Sequence, residues 1–109
     1  MNIEDLRLYA LSFPGAEETF PFGDNVIVFK TNNKMFLLLP LNAERLSFNV
    51  KCDPEYAVEL REQYSSIQPG YHMNKKHWNT IFVDGTLTSK QIKKFIEDSY
   101  NLVAKNKKI

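Results

Sequence analysis

The chain has 109 residues, of which 43% are hydrophobic and 25% charged, values typical of one soluble globular domain with its own core. Its 14 basic and 13 acidic residues leave a net charge of +1, so it lacks the strong basic bias of most nucleic-acid-binding domains, although near-neutrality still permits a local basic patch. The chain has one cysteine, which excludes an intrachain disulfide and favours a reducing compartment. Because no apolar run is long enough to span a membrane, we expect a cytoplasmic protein without a membrane partner.

The first segment predicts a helix followed by a loop. Residues 2–13 repeat apolar side chains at helical spacing, and a Pro-Gly pair ends the pattern. Residues 16–24 contain further breakers and are predicted to form a loop. Two aromatic residues of this loop, Phe20 and Phe22, are expected to pack against the core.

Three strands are predicted next. Residues 25–31 are rich in β-branched and aromatic side chains, and residues 35–39 are apolar. The intervening Asn32-Asn33 pair tolerates positive φ, which favours a tight hairpin turn. Residues 45–52 alternate apolar with polar side chains, which indicates a strand with one wet face. Consecutive strands with short connections predict an antiparallel meander.

The second half of the chain predicts two helices, a long loop and a further strand. An Asp-Pro pair at 53–54 is a good helix start. Residues 65–77 show no periodicity, and loops of that length are often functional. Residues 78–84 predict another strand, and Thr88 with Gln91 forms a capping box for the last helix. The predicted fold is therefore a single α+β domain over residues 1–109, with an antiparallel sheet of about four or five strands flanked by three helices.

Three segments of the chain resemble segments of the MmcQ/YjbR family of small bacterial proteins. Residues Pro69 to Ile81 read PGYHMNKKHWNTI, like the family's signature segment, and Phe13 to Gly23 read FPGAEETFPFG, like its N-terminal segment. Leu87 to Ile96 and Ser99-Tyr100 resemble its final helix. The resemblance implies a YjbR-like α+β domain, comparable to secretion-chaperone-like or double-wing folds. It also implies the DNA-binding activity predicted for the family, with hairpins likened to wings, and it implies no catalytic residues.

The richest candidate site is the segment from residue 71 to residue 78. Lysines could pair with phosphates here while aromatic rings stack on bases. The candidate phosphate contacts are Lys75, Lys76 and His77, and the candidate aromatic anchors are Tyr71 and Trp78. In the alternative interpretation, Trp78 and Met73 fill the core and the lysines are merely solvated.

The hairpin tip is the second candidate contact. Asn33 and Lys34 would approach a groove and a phosphate if the hairpin acts as a wing, although asparagines are also ordinary turn residues. Lys51, on the predicted wet face of its strand, could join the same surface.

Catalytic and metal motifs are weak in this sequence. His72 and His77 have a spacing that zinc sites permit, but no further ligand motif accompanies them. Cys52 could act as a nucleophile with a histidine partner, and the adjacent Lys51 could lower its pKa, but nothing in the sequence supplies an orienting third group. The sequence has neither a phosphate-binding glycine loop nor a nucleophile-elbow motif. We therefore expect a non-enzymatic protein without a cofactor or metal.

Three functions are compatible with these features. The first is weak nucleic-acid binding, with DNA the expected partner, through contacts that depend little on sequence. The second is a chaperone-like protein-interaction module, in which the same loop contacts a protein partner through an aromatic anchor. The third is a site for a small anionic ligand between Lys75, His77 and the sheet.

Overall fold

A computed structural model describes residues 1–70 and 73–104 of the chain. Three helices and six strands alternate along this part of the sequence. In chain order they are α1 (Ile3–Leu11), β1 (Glu17–Thr19), β2 (Val26–Thr31), β3 (Lys34–Pro40), β4 (Ser47–Lys51), α2 (Pro54–Gln63), β5 (Ile67–Pro69), β6 (Trp78–Phe82) and α3 (Ser89–Ala104).

The helix starts follow the local sequence signals. The Asp53 carboxylate accepts hydrogen bonds from the first-turn N–H groups of α2, and a capping box opens α3. There the Gln91 N–H donates to the Thr88 hydroxyl at 3.1 Å, and the Gln91 side chain accepts from the Thr88 N–H at 2.8 Å. These hydrogen bonds confirm both predicted caps. Each cap satisfies N–H groups that the helix itself leaves free.

The strands form one antiparallel sheet in the order β1-β2-β3-β4-β6-β5. Asn32 and Asn33 have φ values of 57° and 64°, which confirms the tight turn between β2 and β3. The α+β class is also confirmed. The sheet has six strands rather than the predicted four or five, because β1 and β5, each of three residues, pair at its edges inside segments predicted as loops.

All three helices pack on one face of the sheet. The main core combines Leu6 of α1, Leu60 of α2 and Ile96 of α3 with the sheet residues Phe36 and Phe48, all buried. Burial of these large side chains supplies the main driving force for folding. The helices therefore leave the opposite face of the sheet, here called the uncovered face, without a helical layer.

The exposure of four residues differs from what the sequence predicts. Ser47 and Asn49 were expected to be wet, yet each is only 7% exposed, because side chains from the loops after β3 and before β6 reach across the uncovered face. Phe20 and Phe22 were expected to pack in the core, yet they are 47% and 63% exposed. Val28, Leu38 and Trp78 form a small second core on this face.

Candidate functional site

The register of the strands brings the predicted basic residues to one end of the sheet. Lys34 begins β3 directly after the hairpin tip, and Lys51 ends the neighbouring antiparallel strand β4. Lys51 in turn pairs with Trp78, the first residue of β6. Since neighbouring strands lie about 4.8 Å apart, Lys51 lies beside the segment before β6, and Lys34 begins the next strand at the same end of the sheet. We call the set Asn33, Lys34, Lys51, Lys75, Lys76 and His77 the basic end.

The residues of the basic end are available for contacts. Asn33, Lys34, Lys75, Lys76 and His77 are exposed, and Lys51 is partly exposed. Ion pairs within the described ranges involve only Arg7, Arg45 and Lys94 as cations. The lysines of the basic end therefore carry charge that no acidic side chain there neutralises.

Residues 73–77, here called the basic loop, are held in a defined shape by backbone hydrogen bonds. The Asn74 side-chain oxygen accepts a hydrogen bond from the Lys76 N–H at 2.9 Å. The backbone carbonyl of Asn74 accepts one from the Trp78 N–H at 3.0 Å. The Cys52 N–H donates to the His77 carbonyl at 2.8 Å. The last bond ties the loop to the end of β4, beside Lys51.

Arg61 of α2 is a site residue that the sequence did not single out. Its guanidinium donates to the carbonyl of Lys75 and to that of Trp78, the second at 3.3 Å. It also donates to the Asn79 side chain at 2.7 Å. A guanidinium is suited to this task because its donors form a fixed fork. The only sequence signal for this role of Arg61 is its helical spacing with Ala57 and Leu60, which puts it on the same face of α2.

Trp78 is not placed to act as an aromatic anchor. It is 5% exposed and packs with Val28 and Leu38. Gly70 lies so close that a Cβ there would come within 2.8 Å of the Trp78 Cβ. The core-packing interpretation therefore describes Trp78. The Lys51 Nζ lies 6.0 Å from its ring, and Tyr71, the other candidate anchor, lies outside the described residues.

The described residues contain neither an activated thiol nor a cluster of metal ligands. Cys52 is 8% exposed, and burial, followed by the nearby Asp53 charge, raises the pKa of its thiol to about 11. A thiol with that pKa is not a nucleophile at neutral pH. No group of three or more potential metal ligands occurs among residues 1–70 and 73–104. His77 is exposed, and His72 lies outside these ranges.

A groove that sequence reasoning missed lies on the uncovered face. It encloses about 760 Å³, a volume typical of ligand sites. Its lining residues are Phe22, Val26, Leu38, Pro40, Ala43, Glu44, Arg45, Ser47, Asn49, Met73, Thr80 and Phe82. The basic loop contributes Met73 to this lining but neither Lys75 nor His77, so the groove is not the anion site expected between those two residues and the sheet.

The floor and rim of the groove differ in chemistry. On the floor, the Thr80 hydroxyl donates to the Asn49 side-chain oxygen. At the rim, the Arg45 guanidinium lies 4.1 Å from the centre of the Phe82 ring, and it also approaches Asp84 at 3.8 Å. The groove therefore combines apolar walls with polar groups at its base.

Comparison with known sequences finds one consistent family. A family model described as YjbR matches residues 11–102. Over 100 residues the chain is 37% identical to the uncharacterized protein YbdF of Escherichia coli, covering 92% of this chain and 82% of that one. It is 33% identical to the uncharacterized protein YjbR of Escherichia coli over the same length, covering 92% and 85%.

Solved structures agree with the sequence matches. The Deinococcus radiodurans protein DR2400, described as a DUF419 domain, superposes with a TM-score of 0.89 at 39% identity, covering 95% of this chain and 79% of that one. A protein from Pseudomonas syringae superposes with a TM-score of 0.82 at 31% identity, covering 94% of this chain and 99% of that one.

No helix in the described residues is both long and apolar enough to cross a membrane.

Proposed function

The chain belongs to the YjbR family, and from this premise we propose that it is a non-enzymatic domain that binds nucleic acid, with DNA the expected partner. The basic end makes the contacts, chiefly to phosphates and with little dependence on base sequence. The observation that carries this proposal is the convergence of Lys34, Lys51 and the basic loop on one end of the sheet.

The electrostatics of the basic end support a phosphate surface. The net charge of the chain is only +1, but binding responds to the local field rather than to the total charge. The basic end gathers four lysines from three separate segments, whereas Asp53, the acidic residue nearest to Lys51 in sequence, caps α2. Each lysine that meets a phosphate releases condensed counterions, which drives binding at low salt.

The geometry of the basic loop also favours recognition rather than catalysis. Its backbone is held by Asn74 and Arg61, so little conformational entropy is lost when Lys75 and Lys76 meet a ligand. The one cysteine is protonated and buried at neutral pH. The same rigid loop could present itself to a protein, but a surface that is rich in lysine is atypical of protein interfaces.

The proposal is tested by fluorescence anisotropy of labelled DNA titrated with the protein at about 50 and about 200 mM salt. We expect binding that weakens steeply as salt increases. Absence of binding at micromolar protein in the lower salt would overturn the proposal. Pull-down from lysate, with and without nuclease, separates the two macromolecular partners, because a protein partner retained after nuclease treatment supports the interaction module instead.

A further inference from the structure

The groove lies on the uncovered face beside Lys51 of the basic end, whereas Lys34, which precedes Met35 of that face in β3, alternates to the other face. Ser47, Asn49 and Lys51 alternate along β4 and therefore share this face. The Lys51 Nζ lies near the ring of Trp78, which belongs to the second core of the same face. Lys51 is two residues beyond Asn49, so their backbones are about 7 Å apart. A ligand with a flat ring and an attached phosphate spans a comparable length.

The groove is built to receive a ring that also forms hydrogen bonds. Asn49 and Ser47 are more than nine-tenths buried and line its floor. Because the Asn49 oxygen accepts from Thr80, its amide nitrogen is the group left to donate, and neither this nitrogen nor the Ser47 hydroxyl has a hydrogen-bond partner in the described ranges. Polar atoms at the base of an apolar groove select ligands that carry matching donors or acceptors.

An exposed aromatic side chain stands at the mouth of the groove. Phe22 lines the groove and is 63% exposed, although burying its ring would be favourable. Proteins that bind single strands use exposed aromatic rings to stack on bases and basic residues to contact the backbone. Val26 and Pro40, which line the groove together with Phe22, pair at the end of the sheet away from Lys51, so the groove extends along the sheet away from the basic end. Phe20, two residues earlier, is also exposed, but it is not part of the groove lining.

We infer that the protein binds single-stranded nucleic acid, with an unpaired base in the groove against Phe22 and Asn49 and the adjoining phosphates on the basic end. The inference rests on the proposed function and adds the strand type and the base subsite. A duplex is excluded from this mode, because its bases are stacked and paired and cannot enter the groove without being flipped.

The test compares three labelled probes of equal length: a thymidine single strand, an abasic single strand with the same phosphates, and a duplex. We expect the thymidine strand to bind more tightly than the abasic strand and the duplex. Phe22→Ala should weaken thymidine binding by roughly fivefold or more, the lower end of what one stacked base contributes. The same variant should leave abasic binding unchanged.

Phe20→Ala is the matched control, because it removes an exposed phenyl ring from the same loop but outside the groove. It should bind the thymidine strand as the unchanged protein does. Equal affinity for thymidine and abasic strands, or equal effects of the two Phe variants, would overturn the base subsite while leaving phosphate binding intact. If none of the three probes binds, the proposed function fails and this inference fails with it.

Discussion

The hydroxyl of Ser99 accepts a hydrogen bond from the backbone N–H of Lys51 at 2.8 Å. The same hydroxyl donates to the carbonyl of Phe36 at 2.6 Å. The ladder between β3 and β4 pairs Leu37 with Val50, so Phe36 and Lys51 would be the next pair. A side chain of α3 thus bridges the two strands where their direct pairing ends, and it fixes the backbone at Lys51.

Removing this bridge should destabilise the fold. Ser99→Ala leaves the Lys51 N–H and the Phe36 carbonyl without their shared partner inside the core. An unsatisfied buried group costs about 1–3 kcal/mol, so we expect the free energy of unfolding to decrease by about 2 kcal/mol in urea denaturation. Ser89→Ala, an exposed change on the same helix, should change it by less than about 0.5 kcal/mol. Equal effects of the two variants would contradict the bridging role.

Neutralising the basic loop should weaken nucleic-acid binding in a salt-dependent way. The double variant Lys75→Ala with Lys76→Ala removes two exposed charges of the basic end. We expect weaker binding for all sequences and a salt slope reduced by about two, roughly one for each lost phosphate contact. Anisotropy titrations at several salt concentrations measure both quantities.

The matched control for the lysine variant lies on α3. Lys90→Ala with Lys93→Ala changes the net charge by the same amount, from a helix that packs on the opposite face of the sheet. This variant should retain the salt slope of the unchanged protein. A slope that falls equally in both double variants would indicate a general charge effect and would contradict a defined contact surface.

Replacing Arg61 should loosen the basic loop. In Arg61→Lys, one ammonium cannot reach both backbone carbonyls and the Asn79 side chain at once. We expect a loss of about 1.5–3 kcal/mol in unfolding free energy, the range for hydrogen bonds to a charged group, and faster hydrogen exchange at the amide of Trp78. Arg45→Lys is the control, because that exposed guanidinium only stacks on Phe82 and approaches Asp84. Unchanged exchange at Trp78 in Arg61→Lys would refute the anchoring role.

The buried thiol of Cys52 should make stability depend on alkaline pH. Burial raises the thiol pKa from 9.0 to about 11, so between these values the folded protein keeps a proton that the unfolded chain releases. Stability from this source is therefore complete below pH 9 and is lost as pH rises towards 11. The difference in unfolding free energy between the unchanged protein and Cys52→Ala should shrink over this interval. A difference that is constant from pH 7 to about 10.5 would contradict the raised thiol pKa.

Local sequence signals determined much of the secondary structure. The Asp53 cap, the Thr88–Gln91 capping box and the Asn32-Asn33 turn each depend on residues at most three positions apart. The chain therefore encodes the helix starts and the hairpin without reference to distant segments. Lys75, Lys76 and His77 could be chosen from sequence for a similar reason, because they are consecutive in the chain.

Tertiary structure alone decided which of those residues act together. The short strands β1 and β5 exist because longer strands offer them an edge, and three residues are too few to show a periodic pattern. Trp78 and Asn49 are buried because segments distant in sequence cover them, whereas Phe22 is exposed. Arg61 reaches the basic loop from a helix 14 residues earlier. Such contacts arise from strand pairing and packing between remote segments, and single-sequence patterns do not specify them.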